Sequence, residues 1–526
     1  MLMKRIISLA LLLFAATCLS AQTPKYYRVQ IFTDDAGLRQ LAMKGVGIDH
    51  GEYQRGKYFI GEFSEHELGL IKQSKYPFKV LISDMSAYYV ARNKTDTAAV
   101  EEPVTTCKYL KPQNFKLGSM AGFYTYKEML RTLDSMRKKF PKLITKKQAV
   151  SAAQTANGNV LYFVRISNNP KAEQNKPKIL YTALHHAREP ESLTQLIFFM
   201  WYLLENYNTN ADIKNIIDNE ELYFIPCVNP DGYLYNEATN PTGGGMWRKN
   251  RRDNGDGNYG VDLNRNYGYK WGYDNSGSSN YTGDETYRGP YAFSEPETQM
   301  VGIFCQAHHF TMAINHHTYS NVLVYPYGYK VNTYTEDSAT FVQYAQELTI
   351  CNAFSYGTVN QTLGYVANGD SDDWMYGEQS LKPKIFAMTP ECGASTDGFW
   401  PPTSRIVPLA KKNMQLNITA AQLAAGLIAP VANATAHSSS DFISFLGASP
   451  NPSVSNTVIS YKLNETKRTS TLVITNAYGK LLRSIPLHTR NGSVSLNTSE
   501  LPGGFYYYSI VSNEGKSNVQ KLVVIK

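Results

Sequence analysis

Ile179-Leu180-Tyr181-Thr182-Ala183-Leu184-His185-His186-Ala187-Arg188-Glu189-Pro190-Glu191 is the stretch on which the fold turns. The apolar run 179–184 reads as a buried strand. Two histidines follow it, and a carboxylate stands three residues past the second. Pro190 then opens an apolar segment, 193–204, that reads as a helix. Proline suits a first helical position, where its missing N–H costs nothing. His186 and Glu189 are therefore expected where a strand hands over to a helix, at the carboxyl edge of a sheet. Open α/β sheets hold their ligands at that edge.

A His-x-x-Glu pair needs a third partner, and one stands downstream. Residues 311–315 read as a strand, followed by His316-His317-Thr318-Tyr319-Ser320 and then Val322-Leu323-Val324-Tyr325-Pro326. Two histidines and a carboxylate make an open zinc site, in which the metal lowers the pKa of a bound water to roughly 7. Taking His185 as ligand would put Arg188 in the partner position, so His186 is the ligand. His316 and His317 remain open on spacing alone.

These residues resemble a known family. His186-Ala187-Arg188-Glu189, with His317-Thr318-Tyr319-Ser320 ahead of Tyr325-Pro326-Tyr327-Gly328, is similar to the zinc metallocarboxypeptidases of types A, B and T, over about residues 124–423. The resemblance selects His317. It implies one Zn2+ on His186, Glu189 and His317, and a central mixed sheet flanked by helices. A carboxylate near the metal can shuttle the proton. Glu391, just past a strand read at 384–388, takes that place in Glu391-Cys392-Gly393, ahead of Gly398-Phe399-Trp400-Pro401-Pro402. An oxyanion needs preorganised positive charge, and Trp247-Arg248-Lys249-Asn250-Arg251 resembles the segment that supplies it through Arg248. In Asp262-Leu263-Asn264-Arg265-Asn266, Asn264 and Arg265 match the pair that holds the substrate's terminal carboxylate, for which an arginine fork is suited. Tyr365 resembles the tyrosine that closes over substrate, and Arg188 and Tyr319 match further substrate contacts. Asp372 stands where type B enzymes keep a pocket-base acid, with Asp370 nearby. A buried carboxylate favours a cationic partner, which implies release of C-terminal Lys or Arg, with a broad specificity as the alternative, since bacterial relatives of dual specificity keep similar acids.

The rest of the chain sets this unit in context. Its 526 residues are too many for one ordinary domain. A net charge of +8 without a basic block does not imply nucleic acid. Residues 1–21 read as a secretory signal, with Lys4 and Arg5, an apolar core at 6–16 and a small-residue site at Leu19-Ser20-Ala21. No other apolar run approaches the ~20 residues of a membrane span. Export predicts a secreted or cell-surface protein that passes through the periplasm. Cleavage would leave Cys107, Cys227, Cys305, Cys351 and Cys392, so at least one thiol stays unpaired.

Residues 22–92 interleave three strands and two helices, which suggests a ferredoxin-like α/β unit. In architecture and position it resembles the family's inhibitory prosegment. Residues 93–107 read as a linker, where Arg92 or Lys94 would suit a trypsin-like activator. The catalytic unit spans 108–429. Within it, Thr125 and Glu128 form a capping box for a helix to Phe140. Asn229-Pro230-Asp231-Gly232-Tyr233 reads as a turn. Residues 234–293 read as one long irregular region, and 406–427 hold a single closing helix. A linker at 430–447 precedes short strands at 448–526, which read as a small all-β sandwich. That segment resembles the C-terminal sorting domain of type IX secretion, through Ser449-Pro450-Asn451-Pro452, Ala477-Tyr478-Gly479-Lys480 and Leu501-Pro502-Gly503-Gly504-Phe505. The resemblance implies the type IX machinery as a partner.

The leading expectation is a secreted zinc carboxypeptidase acting on peptide and protein C-termini. A peptidoglycan-peptide-cleaving peptidase on the same fold is a second reading. A surface binding module on a carboxypeptidase scaffold is a third, which would require a missing ligand or base.

Overall fold

The computed structural model describes residues 24–54, 56–95, 107–428, 443–463, 470–476, 481–512, 515–517 and 519–525. The signal segment at 1–21, most of the two linkers and Ala477-Tyr478-Gly479-Lys480 lie outside them. The chain forms two compact units, Met1–Pro430 and Val431–Lys526.

The first unit begins with β1 (Tyr26–Ile31), α1 (Asp35–Ala42), β2 (Glu52–Gln54), β3 (Tyr58–Ser64), α2 (Glu65–Lys72), β4 (Phe78–Ile82) and α3 (Met85–Thr95). The strands pair antiparallel in the order β2-β3-β1-β4, the ferredoxin-like arrangement with one short strand more than the sequence suggested. Helices α1 and α2 start on side-chain caps: Asp34 accepts from the Gly37 amide, and Ser64 with Glu67 forms a capping box. Val29, Ile31, Leu41, Phe59, Phe63 and Ile71 close the core between helices and sheet. Helix α3 carries on into the stretch read as linker from 93. Its Arg92 guanidinium donates to the carbonyl oxygens of Thr396, at 2.9 Å, Asp397 and Trp400. Arg92, one of the two residues read as suited to a trypsin-like activator, is thus engaged with residues 396–400.

The central region contains α4 (Tyr126–Lys139), β5 (Gln148–Ala149), β6 (Tyr162–Ile166), β7 (Lys178–Ala183), α5 (Pro190–Asn206), α6 (Ala211–Asn219), β8 (Glu221–Ile225), α7 (Pro230–Thr239), α8 (Pro296–His308), β9 (Met312–His316), β10 (Val322–Val324), α9 (Ser338–Leu348), β11 (Ser355–Gly357), α10 (Val359–Thr362), α11 (Ser371–Gly377), β12 (Phe386–Glu391), α12 (Thr403–Lys412) and α13 (Met414–Ala424). The eight strands form one mixed sheet in the order β11-β10-β12-β9-β7-β8-β6-β5. Strands β8, β7, β9 and β12 run parallel at its centre. Their residues are buried on both faces, which explains the continuous apolar runs. Leu196, Phe199 and Leu416 pack on one face, and Met300, Phe304 and Trp374 on the other.

Three local expectations are corrected. Asn229 is a helix cap rather than a turn: its side chain accepts from the Gly232 amide and Pro230 is the first residue of α7. That helix also takes the first residues of the region read as irregular. Strand β12 continues through Glu391, because the short antiparallel strand β10 pairs Val322 with it. The closing segment is two helices that meet at Asn413. A disulfide joins Cys107 to Cys351, and Cys227, Cys305 and Cys392 are free and buried.

The second unit comprises β13 (Ile443–Ser449), β14 (Asn456–Leu463), β15 (Ser470–Asn476), β16 (Leu481–Leu487), β17 (Asn491–Asn497), β18 (Gly504–Ser512), β19 (Gly515–Lys516) and β20 (Gln520–Val524). They form two antiparallel sheets, β13-β14-β17 and β16-β15-β18, with β19 and β20 pairing to β18. Ile459, Leu472, Ile474, Ile510 and Leu522 fill the space between the sheets. The first strand begins inside the segment read as linker to residue 447. Among the described residues, no helix is long and apolar enough to cross a membrane.

Candidate active site

Strand β7 ends at Ala183, and Leu184 turns the chain with φ +55°. This left-handed conformation is uncommon for a branched residue. It is pinned by the Ser192 hydroxyl, which accepts from the Leu184 amide at 3.1 Å. The turn sends the two histidines different ways. His185 Nε2 lies 2.9 Å from the Tyr267 hydroxyl. His186 Nδ1 lies 2.7 Å from Glu189 Oε1. One strand over, β9 ends at His316, whose ring stacks on Tyr181. His317 Nδ1 stands 3.0 Å from Glu189 Oε2 and 3.1 Å from His186 Nδ1. His186, Glu189 and His317 are thus brought together, and His185 and His316 are not.

This cluster fits a metal ion. Two ring nitrogens 3.1 Å apart can share at most one hydrogen, and the same carboxylate faces both. A cation between them satisfies all three groups, and the donor set is one that zinc favours. The other ring nitrogen of His186 lies 3.3 Å from Asp262 Oδ1, the outer carboxylate that commonly orients a ligating imidazole. Burial pushes the Glu189 carboxyl up, but His186 and His317 beside it hold it well below its ordinary value.

Asp262 also fixes Arg248. Its Oδ2 accepts from Arg248 Nε at 3.1 Å and Nη2 at 2.8 Å. Burial opposes ionisation of both, yet each holds the other charged: the Asp262 carboxyl stays far below the usual range and the guanidinium above its own. Glu391 closes another side. The His317 amide donates to the Pro390 carbonyl at 3.1 Å and the Cys392 amide to the His317 carbonyl at 3.0 Å. These backbone bonds hold the proposed base beside a proposed ligand.

The expected substrate contacts line the same edge. Asn264 accepts from the Ser371 amide at 2.9 Å, and Arg265 Nη1 donates to the Asn264 carbonyl at 2.7 Å. The Arg188 guanidinium sits 4.2 Å above the Phe399 ring, and the Tyr319 ring lies 5.0 Å from it. Tyr365 packs against the core of the N-terminal α/β unit and borders a cavity of about 740 Å³ with Ile48 and Asp49. Asp372 is buried, and its Oδ1 accepts from Asn315 Nδ2 at 2.7 Å, two residues before His317. Burial, then Asp370, pushes its carboxyl up to about 7. Asp370 caps α11 through one oxygen, while the other is buried without a hydrogen-bond partner. Burial raises that carboxyl to about 6.

Sequence reasoning missed three residues here. Asp262 was quoted as part of a motif but given no role; a carboxylate beside the Asn264-Arg265 pair was the available signal. Asp49 and His50 had none, lying in an unpatterned loop between α1 and β2. The structure inserts that loop into the site. Asp49 Oδ2 lies 2.5 Å from Arg248 Nη2 and 3.3 Å from Arg265 Nη2. His50 Nε2 lies 3.5 Å from Glu189 Oε1 and 3.7 Å from Glu391 Oε2.

Comparison with known proteins points to one family. A zinc carboxypeptidase family model matches residues 129–416, and one for a secretion system C-terminal sorting domain matches 449–526. The zinc carboxypeptidase of Saccharothrix mutabilis subsp. capreolus is 29% identical over 316 residues, covering 57% of this chain and 69% of that one. Metallocarboxypeptidase A of Trichophyton tonsurans is 29% identical over 304 residues, covering 56% and 69%. Among solved structures, carboxypeptidase A from Helicoverpa armigera shares the fold with a TM-score of 0.61 at 21% identity, covering 77% of this chain and 98% of that one. Thrombin activatable fibrinolysis inhibitor gives 0.59 at 21%, covering 77% and 100%. With its matched region exceeding half of its length, the chain belongs to the zinc carboxypeptidase family.

Proposed function

We propose that the protein is an exported carboxypeptidase that releases C-terminal Lys or Arg from peptides and proteins, made as a precursor with a prosegment at 22–92 and a catalytic domain at 108–429. The observation that carries this reading is the pair Arg248 and Arg265, both directed at one carboxylate, that of Asp49, beside His186, Glu189 and His317. A site built to receive a carboxylate there suits a substrate chain end. His186, Glu189 and His317 would hold zinc, which when bound supplies an acidified water and a Lewis acid. Glu391 takes the proton of the attacking water and returns it to the leaving amine. Arg248, held by Asp262, faces the charge that grows on the carbonyl oxygen. Asn264 and Arg265 grip the terminal carboxylate, with Tyr365 closing over it and Arg188 and Tyr319 contacting the chain upstream. Asp372, with Asp370, receives the cationic side chain. Residues 449–526 support export through a type IX route to the surface or medium.

The test is zinc content together with hydrolysis of hippuryl-Arg and hippuryl-Phe by protein processed between residues 96 and 106 and separated from its N-terminal segment. One zinc and Arg-selective release, lost in Glu391→Gln, is the expected result. Preference for Phe overturns the pocket assignment. Zinc without release from either peptide moves the function toward cell-wall peptides or binding.

A further inference from the structure

The N-terminal α/β unit does more than cover the cleft. Its loop 43–51 delivers two adjacent polar side chains to separate parts of the site. The loop is shaped for it: the Gly47 amide donates to Glu67 Oε1 at 2.7 Å, and a Cβ on Gly51, at φ +159°, would meet the Ile60 carbonyl oxygen at 2.3 Å. Asp49 takes Arg248 and Arg265. His50 goes further in and is nearly wholly buried. Its Nδ1 faces Asp49 Oδ1 at 3.3 Å, while Nε2 is buried without a hydrogen-bond partner, and a polar atom left so is costly.

Its position supplies the missing partner. Ligand atoms of His50, His186 and Glu189 all lie within 4.8 Å of one another. His50 Nε2 is 3.5 Å from Glu189 Oε1, and His186 Nδ1 is 2.7 Å from the same oxygen. Zinc bonds of 2.0–2.1 Å at tetrahedral angles separate neighbouring ligand atoms by roughly 3.3 Å. The Phe399 ring, 5.1 Å away, and the His186 ring, edge-on at 5.9 Å, flank the imidazole on an aromatic and a polar side. His50 Nε2 also stands 3.7 Å from Glu391 Oε2, on the side of the cluster that the attacking water must use.

We propose that His50 is the fourth metal ligand of the precursor, converting an open catalytic site into a closed structural one until the loop withdraws. Closed four-ligand sites hold zinc as structure, and catalytic sites keep one position for water. On withdrawal the bond from His50 Nε2 breaks and a water oxygen takes its place, with no change in oxidation state. Asp49 leaves Arg248 and Arg265 in the same movement, so one loop releases the carboxylate grip and the metal together. This inference rests on reading His186, Glu189 and His317 as the zinc ligands.

The test is zinc X-ray absorption on the full precursor, on His50→Ala and His50→Gln precursors, and on processed enzyme freed of its N-terminal segment, with the rate of zinc loss to a chelator followed in parallel. The wild-type precursor is expected to give a scattering pattern of three imidazoles, and the variants and processed enzyme of two. Zinc should leave the wild-type precursor about tenfold or more slowly than the variants. If one zinc is bound with two imidazoles in every form and chelation rates are equal, His50 is no ligand, while the family site stands. If the precursor binds no zinc at all, the three-ligand reading falls with it. Should His50→Ala fail to fold, His50→Gln and the wild-type ligand count decide the matter.

Discussion

Asp262 and Arg248 form a buried two-point contact, with both Nε and Nη2 of the guanidinium directed at one carboxylate oxygen. The second oxygen is left for His186. One carboxylate thereby sets both the charge proposed to face the substrate carbonyl and the orientation of a proposed metal ligand.

Asp262→Asn should therefore lower metal affinity by about 10–100-fold. Removing one partner of a buried ion pair costs about 3–5 kcal/mol. In the precursor Asp49 still neutralises Arg248, so the loss of stability should be larger after processing. Thermal unfolding of both forms with zinc titration checks this. Equal destabilisation in the two forms would contradict the role given to Asp49.

Glu391→Gln keeps the size and burial of the side chain but cannot take a proton. The turnover of the processed enzyme should fall by about 10²–10⁴-fold, with zinc content unchanged. Steady-state kinetics and metal analysis on one preparation separate this from loss of the site.

The buried Asp372 carboxyl, pushed up to about 7, should make specificity depend on pH. Below that value the free site holds a neutral acid, and above it an anion that attracts a Lys or Arg side chain. The ratio of kcat/KM for Arg-ended over Phe-ended peptides should climb as pH rises through about 7. Asp372→Asn should flatten the ratio and lower it about a hundredfold, since an uncompensated cation is costly to bury.

Glu297 offers a pH effect away from the site. It is fully buried in the first turn of α8, 3.4 Å from Asn250 Nδ2. Burial, and then Glu295, pushes its carboxyl up to about 8. The native chain keeps that proton where the unfolded chain has lost it. This contribution to stability is complete below the ordinary glutamate range near 4.3 and is lost as pH rises toward the folded value. Glu297→Gln should flatten the fall of Tm across that window, which thermal unfolding at a series of pH values would show.

The strand and helix that carry His186 and Glu189 were legible because their signal is local: an apolar run stops at two histidines, and Pro190 marks where the helix begins. The capping box of Thr125 and Glu128 was legible for the same reason. Asn229 misled because Asn, Pro, Asp and Gly serve a turn and a helix N-terminus equally well. The end of β12 was hidden because Thr389 and Pro390 break an apolar run, while the pairing that extends it comes from the separate strand β10. Asp49 and His50 were beyond reach. Nothing near them in the chain records that Arg248, Arg265 and Glu391 will be their neighbours.

Helix α3 has a consequence for timing. Arg92 holds three carbonyls of the 396–400 rim, Asn93 accepts from the Thr403 amide at 2.9 Å, and the Phe399 amide donates to the Tyr89 hydroxyl at 3.0 Å. Tyr26 and His66 add contacts to Glu285 and Asp284 at 3.0 Å each. All of these lie before residue 96, so a cut at 96–106 leaves them standing. On the precursor reading proposed above, the nicked product would be a two-chain complex whose latency obeys mass action. Dilution, or destruction of the freed segment, would then set when activity begins, and the protease that makes the cut would only start the clock.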